Sequence, residues 1–503
     1  MVNVPLKSLY TFIGLSLVLV AWSFASPVGS SADELPHLQR IYCYTGHDVC
    51  PTTSNSANIP KNLIIGISDC WKIPNFQIVS KCDSESAGQS YIRIERPFPG
   101  TYSPIFYKAM SFFYSNNLPM SVVLMRIFNS LLMAVVAVFS GLLLRNEYKY
   151  NINILILLIP NVSFFVASVN PTSWSIITIY GLTCSLISLH HVKANRANCA
   201  LALFSLVLSF CGRPDTKYWS ILVLSSAGFV WFISHKSSLG NFFKYSSIAA
   251  SVGSLMALFF KIGDLQKFKL STFSDSIISN PLTLVFHNLL KSPRFLSNII
   301  SSDSGSYASS YLAKPFVITL NCLILYLLVK SIRYSSVMIR ALITTAIGLI
   351  LFLVNGFHYI WGLAIFDSIH PRYFLPILVV FFILMGIESN HQLGKHSFNL
   401  LSISALLLVF LSLHTTLRRW SIGLFEFQKS GNYEYVANGQ TNSVSLYAGN
   451  WNEHFKDLLF INSKWSPPVV GGNWAVLLVA VVGCSLLIYS MQLIEPSIKE
   501  IYK

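Results

Sequence analysis

The chain has 503 residues, of which 53% are hydrophobic and 11% charged, and its mean hydropathy is +0.57. Soluble domains carry roughly 25% charged residues, so this composition excludes an ordinary soluble protein. Long apolar runs and 14% aromatic residues exclude a disordered chain as well. The net charge of +15 does not indicate nucleic-acid binding, because Lys and Arg are scattered between the apolar runs. The composition therefore favours one polytopic domain in a lipid bilayer.

Apolar runs long enough to cross a bilayer recur along the chain. A span needs about 20 apolar residues, and the first run, LYTFIGLSLVLVAWSFA, lies near residues 9–25. A signal peptide is the alternative there, but the run is long for one, and we interpret it as a signal anchor. Further runs lie near 120–144, 150–169, 171–189, 197–211, 217–234, 243–262, 313–332, 338–357, 371–389, 397–414 and 473–493. These runs predict an all-α membrane protein with about twelve transmembrane helices.

Basic residues in the short loops predict the orientation, because Lys and Arg are enriched in cytoplasmic loops. With the N-terminus inside, every short loop on the inner side contains Lys or Arg. These loops lie near 145–150, 190–196, 234–244, 330–340 and 388–396. We therefore predict a multi-pass protein of the bacterial cytoplasmic (inner) membrane, with both chain ends inside and its active site facing the periplasm or the exterior.

Three long polar segments then fall on the outer side, at residues 27–119, 262–312 and 415–472. We predict that residues 1–414 form the main transmembrane domain, which includes the first two of these loops. Residues 415–503 comprise the third outer loop and the last transmembrane helix. The third loop is rich in Trp, Asn and Tyr, which suit carbohydrate contact and an interfacial loop equally well.

Cysteine usage agrees with this orientation. The first outer loop contains Cys43, Cys50, Cys70 and Cys82. An even number of cysteines in one polar loop favours two disulfides in an oxidising compartment, with three pairings open. A metal site is the less favoured alternative, because no CxxC pair occurs and His47 is the only His among these cysteines. The remaining cysteines lie in or beside apolar runs, where Cys behaves as a small hydrophobe.

Two adjacent carboxylates follow the first span, in the segment SSADELPHLQRIYCYTG. Ionisable groups at the membrane surface are candidates for function, and a helix starting here would bring Asp33 and His37 to one face. The alternative is a helix start, because Ser31 and Glu34 fit a capping box. Capping explains one carboxylate but requires neither the second one nor the His. We therefore predict Asp33 and Glu34 as catalytic candidates and His37 as a substrate contact.

Further polar residues lie at the outer ends of the predicted spans. The aromatic stretch after the segment IERPFPGTYSP predicts an amphipathic helix in the interface. Arg96 is either a phosphate contact or an ordinary exposed Arg. Arg213 is either a ligand contact or part of a charged turn. Arg372 either snorkels or binds phosphate, and its fork geometry favours phosphate. The substrate-binding candidates are Arg96, Tyr102, Asn170, Arg213, His370, Arg372 and Tyr373.

These residue types suit a group transfer from a lipid phosphate. A carboxylate can take the proton of an acceptor hydroxyl, and Arg can bind and neutralise the phosphate that leaves. The inner loops hold no comparable combination. The candidate residues lie on the predicted outer side, which indicates a lipid-phosphate-dependent transferase that works outside the cytoplasm.

The order of motifs resembles the bacterial integral-membrane family named domain of unknown function 2142. The pieces that carry the resemblance are DELPHLQRIYCYTG, RPFPGTYSPIFYKA, MRIFNSLLMA, IPNVSFFVASVNPTSW, GRPDTKYW and HPRYFLPIL, which follow in order over residues 10–415. The family looks related to the GT-C glycosyltransferases, which transfer sugars from polyprenyl-phosphate donors outside the cytoplasmic membrane. This resemblance implies a GT-C-like helical bundle with long outer loops.

Carried over by position, the resemblance implies Asp33 as the leading catalytic residue and Glu34 as the second. Arg372 matches an Arg-Tyr motif and would contact the donor phosphate, and Arg213 matches an Arg-Pro motif. This chain has Pro371 before Arg372 where the family usually has Gly, so the local turn differs. The implied partners are a polyprenyl-phosphate-linked sugar and an envelope glycan or lipid acceptor. A divalent metal is left open, because no clear ligand set is visible.

Two other functions fit the same sequence. A transporter or flippase of a lipid-linked glycan would hold charged groups midway along its spans, whereas most of the charged residues here lie near span ends. A non-catalytic component of an envelope-assembly complex would tolerate replacement of both carboxylates. No P-loop, nucleotide-binding GxGxxG or HExxH motif is present to support nucleotide-driven transport or zinc hydrolysis.

Overall fold

The computed structural model of the protein contains helices and four strands in the residues that it describes. The described residues are 4–31, 33–45, 56–60, 91–95, 102–144, 152–191, 196–234, 321–322, 325–326, 329, 333, 371–392, 395–421, 432–437, 440–445, 459–460 and 466–492. The predicted spans near 243–262 and 338–357 lie outside these residues, as does the predicted outer loop 262–312.

The described part is mostly helical. In chain order the helices are α1 (Val4–Phe24), α2 (Glu34–Tyr42), α3 (Pro104–Ser111), α4 (Leu118–Leu144), α5 (Pro160–Val166), α6 (Thr172–His191), α7 (Arg196–Cys211), α8 (Thr216–Ser234), α9 (Leu375–Gln392), α10 (Lys395–Ser421) and α11 (Gly472–Gln492). Two short 3-10 helices, Ile152–Leu158 and Pro371–Phe374, precede α5 and α9. Among the described residues, five helices are long and apolar enough to cross a membrane: α1, α4, α6, α10 and α11. The chain is thus a membrane-embedded helical protein, and the count of about twelve spans stays a prediction.

Two small antiparallel sheets occur within the predicted outer loops. Strand β1 (Ser56–Pro60) pairs with β2 (Tyr91–Glu95), and β3 (Asn432–Ala437) pairs with β4 (Gln440–Ser445). The residues between β3 and β4 in the sequence are Asn438 and Gly439, a dipeptide that favours tight hairpin turns. The described part is therefore mostly helical with two small antiparallel sheets, where the sequence predicted helices alone.

The apolar run near 150–169 does not form one continuous helix. It contains the 3-10 helix Ile152–Leu158 and then α5, which starts at Pro160. Proline has no N–H to donate and its ring collides with the preceding turn, so it is tolerated at the first position of a helix but breaks a helix interior. One end of another element also differs, because α10 continues to Ser421, past the predicted end of its span at 414.

The first and last helices pack against each other in antiparallel fashion. The rings of Tyr10 and Tyr489 lie 5.5 Å apart, and Thr11 donates a hydrogen bond of 3.0 Å to Ser490. At the crossing, a Cβ added to Gly14 would lie 2.7 Å from the carbonyl oxygen of Gly483. The start of α1 and the end of α11 therefore lie at the same end of the bundle, as expected if both chain ends are on one side of the membrane. The opposite end, where α1 ends and α4 begins, carries the polar groups described next.

Candidate functional site

The two adjacent carboxylates of the sequence have different surroundings. Glu34 is fully buried and forms an ion pair with Arg126 of α4, with Nη2 to Oε2 at 2.6 Å and Nε to Oε1 at 3.0 Å. The backbone N–H groups of Val169 and Ser31 also donate to this carboxylate, at 3.1 and 3.5 Å. Both carboxylate oxygens are thus occupied by donors within the protein.

Arg126 ties the end of α1 to α2 through its remaining donors. Its Nη1 donates to the carbonyl oxygens of Ser23 and Ser26, at 3.3 and 2.7 Å. Its Nη2 also donates to the Pro27 carbonyl at 2.9 Å and to the Ser30 hydroxyl at 3.1 Å. A buried charge is stable only when it is paired and fully hydrogen-bonded. The pair of Glu34 and Arg126 meets this condition and fixes the start of α2 against α4.

Asp33 occupies the N-cap position of α2 in the left-handed backbone conformation, with φ 59° and ψ 10°. Asp tolerates this conformation better than most residues. Its side chain makes no capping hydrogen bond, so capping does not explain Asp33, whereas Glu34 makes the contact to the Ser31 N–H that a capping box requires. Asp33 is half-buried and lies close enough to Tyr102 to affect the pKa of that hydroxyl. The Asp33 carboxylate therefore faces a different group of residues from the Glu34 carboxylate.

His37 and two tyrosines form an aromatic group one helical turn further along α2. His37 is buried, its Nδ1 lies 3.0 Å from the Tyr107 hydroxyl of α3, and its ring makes an edge contact with Tyr102 at 5.1 Å. The Ser103 hydroxyl accepts a hydrogen bond from the Ile105 N–H, which caps α3 directly after Tyr102. This cap fixes the position of Tyr102 beside α2.

Arg213 projects from the turn between α7 and α8. Its Nε donates to Asp215 at 3.0 Å, and its Nη1 donates to the Thr172 hydroxyl at the start of α6, at 3.3 Å. Its guanidinium lies over the ring of Tyr373, 4.5 Å from the ring centre, where a cation is attracted by the π electrons. Arg213 is only 13% exposed. It thus links α6, α7, α8 and the turn before α9.

Electrostatic effects connect these residues to Tyr102. Burial is the largest cause that raises the pKa of Tyr102; Arg213 lowers it, and Tyr373, Asp33 and Asp215 raise it. Burial alone would lower the pKa of Arg213, but Asp215, Tyr102 and Tyr373 outweigh that effect and raise it. Tyr102 is therefore a neutral hydroxyl and Arg213 a fixed cation at neutral pH. We call Asp33, Tyr102, Arg213, Asp215 and Tyr373 the Tyr102 cluster.

Asn170 supports this cluster from the turn that precedes α6. Its side-chain oxygen accepts from the backbone N–H of Thr172 at 2.9 Å, which orients the residue that Arg213 contacts. Trp174, in the first turn of α6, holds this region against α4, since its Nε1 donates to Asn129 at 2.9 Å. Asn170 is buried, so in this structure it positions Thr172 at the edge of the Tyr102 cluster.

The remaining predicted site residues fall into two groups. Arg96, His370, Cys50, Cys70 and Cys82 lie outside the described residues, so the predicted disulfides and these contacts stay predictions. For Arg372 the structure describes only the backbone, which lies in the 3-10 helix Pro371–Phe374 next to Tyr373. Among the residues that the structure describes, no three His, Cys, Asp or Glu side chains are grouped as metal ligands.

Sequence reasoning missed Arg126, Tyr107 and Thr172. Arg126 carried a usable signal, because an Arg inside the apolar run near 120–144 requires a partner of opposite charge. Tyr107 and Thr172 carried none, since an interfacial Tyr and a Thr at a helix start are ordinary in membrane proteins.

A family model described as a predicted membrane protein (DUF2142) matches residues 15–381. This range includes every member of the Tyr102 cluster as well as Glu34 and Arg126. No curated protein and no solved structure matches the chain.

Proposed function

The chain belongs to the DUF2142 family of predicted membrane proteins, and from the Tyr102 cluster we propose that it is a membrane glycosyltransferase of the GT-C type. It moves a sugar from a polyprenyl-phosphate donor to an envelope glycan or lipid on the outer side of the bacterial cytoplasmic membrane. The observation that carries the proposal is that a carboxylate, Asp33, and a buried cation, Arg213, both act electrostatically on Tyr102, because this chemistry requires a base and a cation near one another.

In this proposal Asp33 is the general base. The acceptor hydroxyl oxygen attacks the anomeric carbon of the donor sugar while its proton passes to the Asp33 carboxylate. The bond between that carbon and the phosphate oxygen breaks, and the polyprenyl phosphate leaves with the bonding electrons. Asp33 suits the role because it is a half-buried carboxylate at the start of α2 that acts electrostatically on Tyr102, as Arg213 does.

Arg213 holds the leaving phosphate in the proposal. It stays charged because Asp215 and two tyrosines surround it, and Thr172 and Tyr373 restrict its orientation. The neutral Tyr102 hydroxyl is a donor for the same phosphate or for the sugar. Arg372 is the second donor-phosphate candidate, because its backbone directly precedes Tyr373.

Glu34 has a positioning role in this account, although the sequence ranked it as the second catalytic candidate. Both of its oxygens accept hydrogen bonds from fixed donors, so a proton transfer to Glu34 would break a buried ion pair. The same saturation argues against a transporter in which this pair of charges moves, since each group is held by contacts from several segments.

The proposal is tested by complementation of a strain that lacks the protein, scored by its surface-glycan profile. Asp33→Asn keeps the size and the tolerance for a left-handed backbone but removes the base, so we expect normal membrane levels and loss of a glycan product. Glu388→Gln is the matched control, because it also removes a carboxylate. Glu388 lies near the end of α9, whereas Tyr373 of the Tyr102 cluster precedes the start of that helix.

We expect Glu388→Gln to restore the complete profile. A complete profile with Asp33→Asn at normal protein level would contradict the catalytic assignment and leave an assembly component as the better account.

A further inference from the structure

Arg40, in the last turn of α2, is a buried cation that the proposed transfer does not use. The residue is 7% exposed, and its Nε and Nη1 atoms have no hydrogen-bond partner among the described residues. Burying a guanidinium without hydrogen bonds costs free energy. Arg126 shows the contrast, since each of its three side-chain nitrogens donates to an oxygen of the protein.

Among the described residues, the contacts of Arg40 compensate its charge only in part. Its guanidinium lies 5.8 Å from the ring centres of both Tyr44 and Tyr107, which gives an electrostatic attraction to the π electrons. Its position in the last turn also suits the negative end of the helix dipole. Neither effect supplies an acceptor for the two buried donors. An oxyanion is the ligand that would satisfy them, because guanidinium groups bind carboxylate and phosphate oxygens directly.

Aromatic rings connect Arg40 to the Tyr102 cluster. The Tyr107 ring lies 6.5 Å from the Tyr102 ring, and the ring of His37 contacts both. Tyr44 stacks on Tyr107 at 6.0 Å and is half-buried, as is Tyr102. The row thus runs from one cation, Arg40, to another, Arg213, and its partly exposed members offer apolar ring surface beside each cation. Such surface suits the C–H face of a sugar, and a few polar groups then fix its orientation.

The geometry points to a second anion subsite at Arg40, which takes a carboxylate or a phosphate carried by a sugar residue. Its place beside the Tyr102 cluster makes this sugar part of the acceptor, an assignment that rests on the proposed transferase function. The acceptor of this enzyme is accordingly an anionic glycan.

The subsite is tested by thermal unfolding of the purified full chain with three probes: glucuronate, glucose 6-phosphate and neutral glucose. The background is Asp33→Asn, so that no turnover takes place. We expect at least one charged sugar to raise the Tm and glucose to leave it unchanged. The charged sugar that acts identifies a carboxylate or a phosphate as the natural group.

When Arg40→Gln is added to this background, it should weaken binding of that charged sugar by about tenfold or more. Arg196→Gln is the control, because Arg196 is exposed at the start of α7, and it should leave the binding unchanged. Tyr44→Leu keeps the test valid if Arg40→Gln does not fold, because loss of the flanking ring should also weaken binding. The subsite is overturned if no charged sugar raises the Tm, if glucose raises it equally, or if Arg40→Gln binds as before.

The outcomes separate this inference from the proposed function. Loss of a glycan product in Asp33→Asn without charged-sugar binding would remove the subsite and keep the transferase. Charged-sugar binding with a complete glycan profile in Asp33→Asn would keep the subsite and remove the transferase.

Discussion

At the scale of single residues, one backbone torsion separates two neighbouring carboxylates. Asp33 has a positive φ and Glu34 begins α2. The Asp33 carboxylate acts electrostatically on Tyr102, whereas the Glu34 carboxylate pairs with Arg126. A left-handed residue other than Gly costs roughly 1–3 kcal/mol and persists where its surroundings hold it. Here the ion pair of Glu34 and Arg126 provides that support, directly next to Asp33.

We predict that the two conservative replacements differ in their effect on the free energy of unfolding. Glu34→Gln leaves the Arg126 charge buried without its counter-charge and should lower the free energy of unfolding by about 3–5 kcal/mol. Asp33→Asn should change it by less than about 1 kcal/mol, because Asn accepts the same backbone conformation. Denaturation of the purified variants in one detergent measures both values. Equal stability of the two variants would contradict the positioning role of Glu34.

The sequence identified this carboxylate pair but could not divide its roles. The motif Ser31-x-x-Glu34 suggested a capping box, and the Ser31 N–H does lie 3.5 Å from Glu34. The stronger partner, Arg126, lies in another helix, and no local pattern reveals a contact between helices so far apart in the chain. The positive φ of Asp33 was equally hidden, because Asp is common in every type of turn.

At the scale of elements, small residues allow two described helices to pack closely. Gly14 and Gly483 allow the backbones of α1 and α11 to approach closely, as small residues do at helix contacts within membranes. The sequence predicted where the five long apolar helices of the described part lie, since an apolar run of about 20 residues has few alternatives. It could not predict which helices pair, because lipid-facing and helix-facing apolar residues look alike in the sequence.

Gly14→Ala tests this contact. The added methyl group would lie 2.7 Å from the Gly483 carbonyl oxygen, so we expect the helices to separate and the free energy of unfolding to fall by about 1–3 kcal/mol. Gly212→Ala is the matched control, since its nearest neighbour would be 3.4 Å away, an ordinary contact. A fall in Tm for Gly212→Ala as large as that for Gly14→Ala would contradict the account.

Apolar runs also mislead where a proline interrupts them. The run near 150–169 has the length of a span, but Pro160 divides it into a 3-10 helix and α5. The break brings the chain to the turn at Asn170, where Val169 donates to Glu34 and Thr172 accepts from Arg213. The interruption thus serves both the buried ion pair and the Tyr102 cluster.

At the scale of the whole molecule, distant segments meet at one end of the bundle. Asp33, Tyr102, Arg213 and Tyr373 come from four separate turns or helix starts, and Glu34 and Arg126 fix one of these segments. The antiparallel packing of α1 and α11 places the start of α1 and the end of α11 at the opposite end. The sequence indicated that polar groups gather on one side, because loop charges predict the side on which each turn lies. Their mutual contacts depend on helix packing, which only the structure describes.

The central claim is that this meeting point binds a polyprenyl phosphate. The most direct measurement is the affinity of purified full-length protein for a polyprenyl phosphate, compared among wild type, Asp33→Asn, Arg213→Gln and Arg196→Gln. We expect Asp33→Asn and Arg196→Gln to bind within about twofold of wild type, and Arg213→Gln to bind about tenfold or more weakly. Wild-type affinity in Arg213→Gln, or an equal loss in Arg196→Gln, would contradict the account.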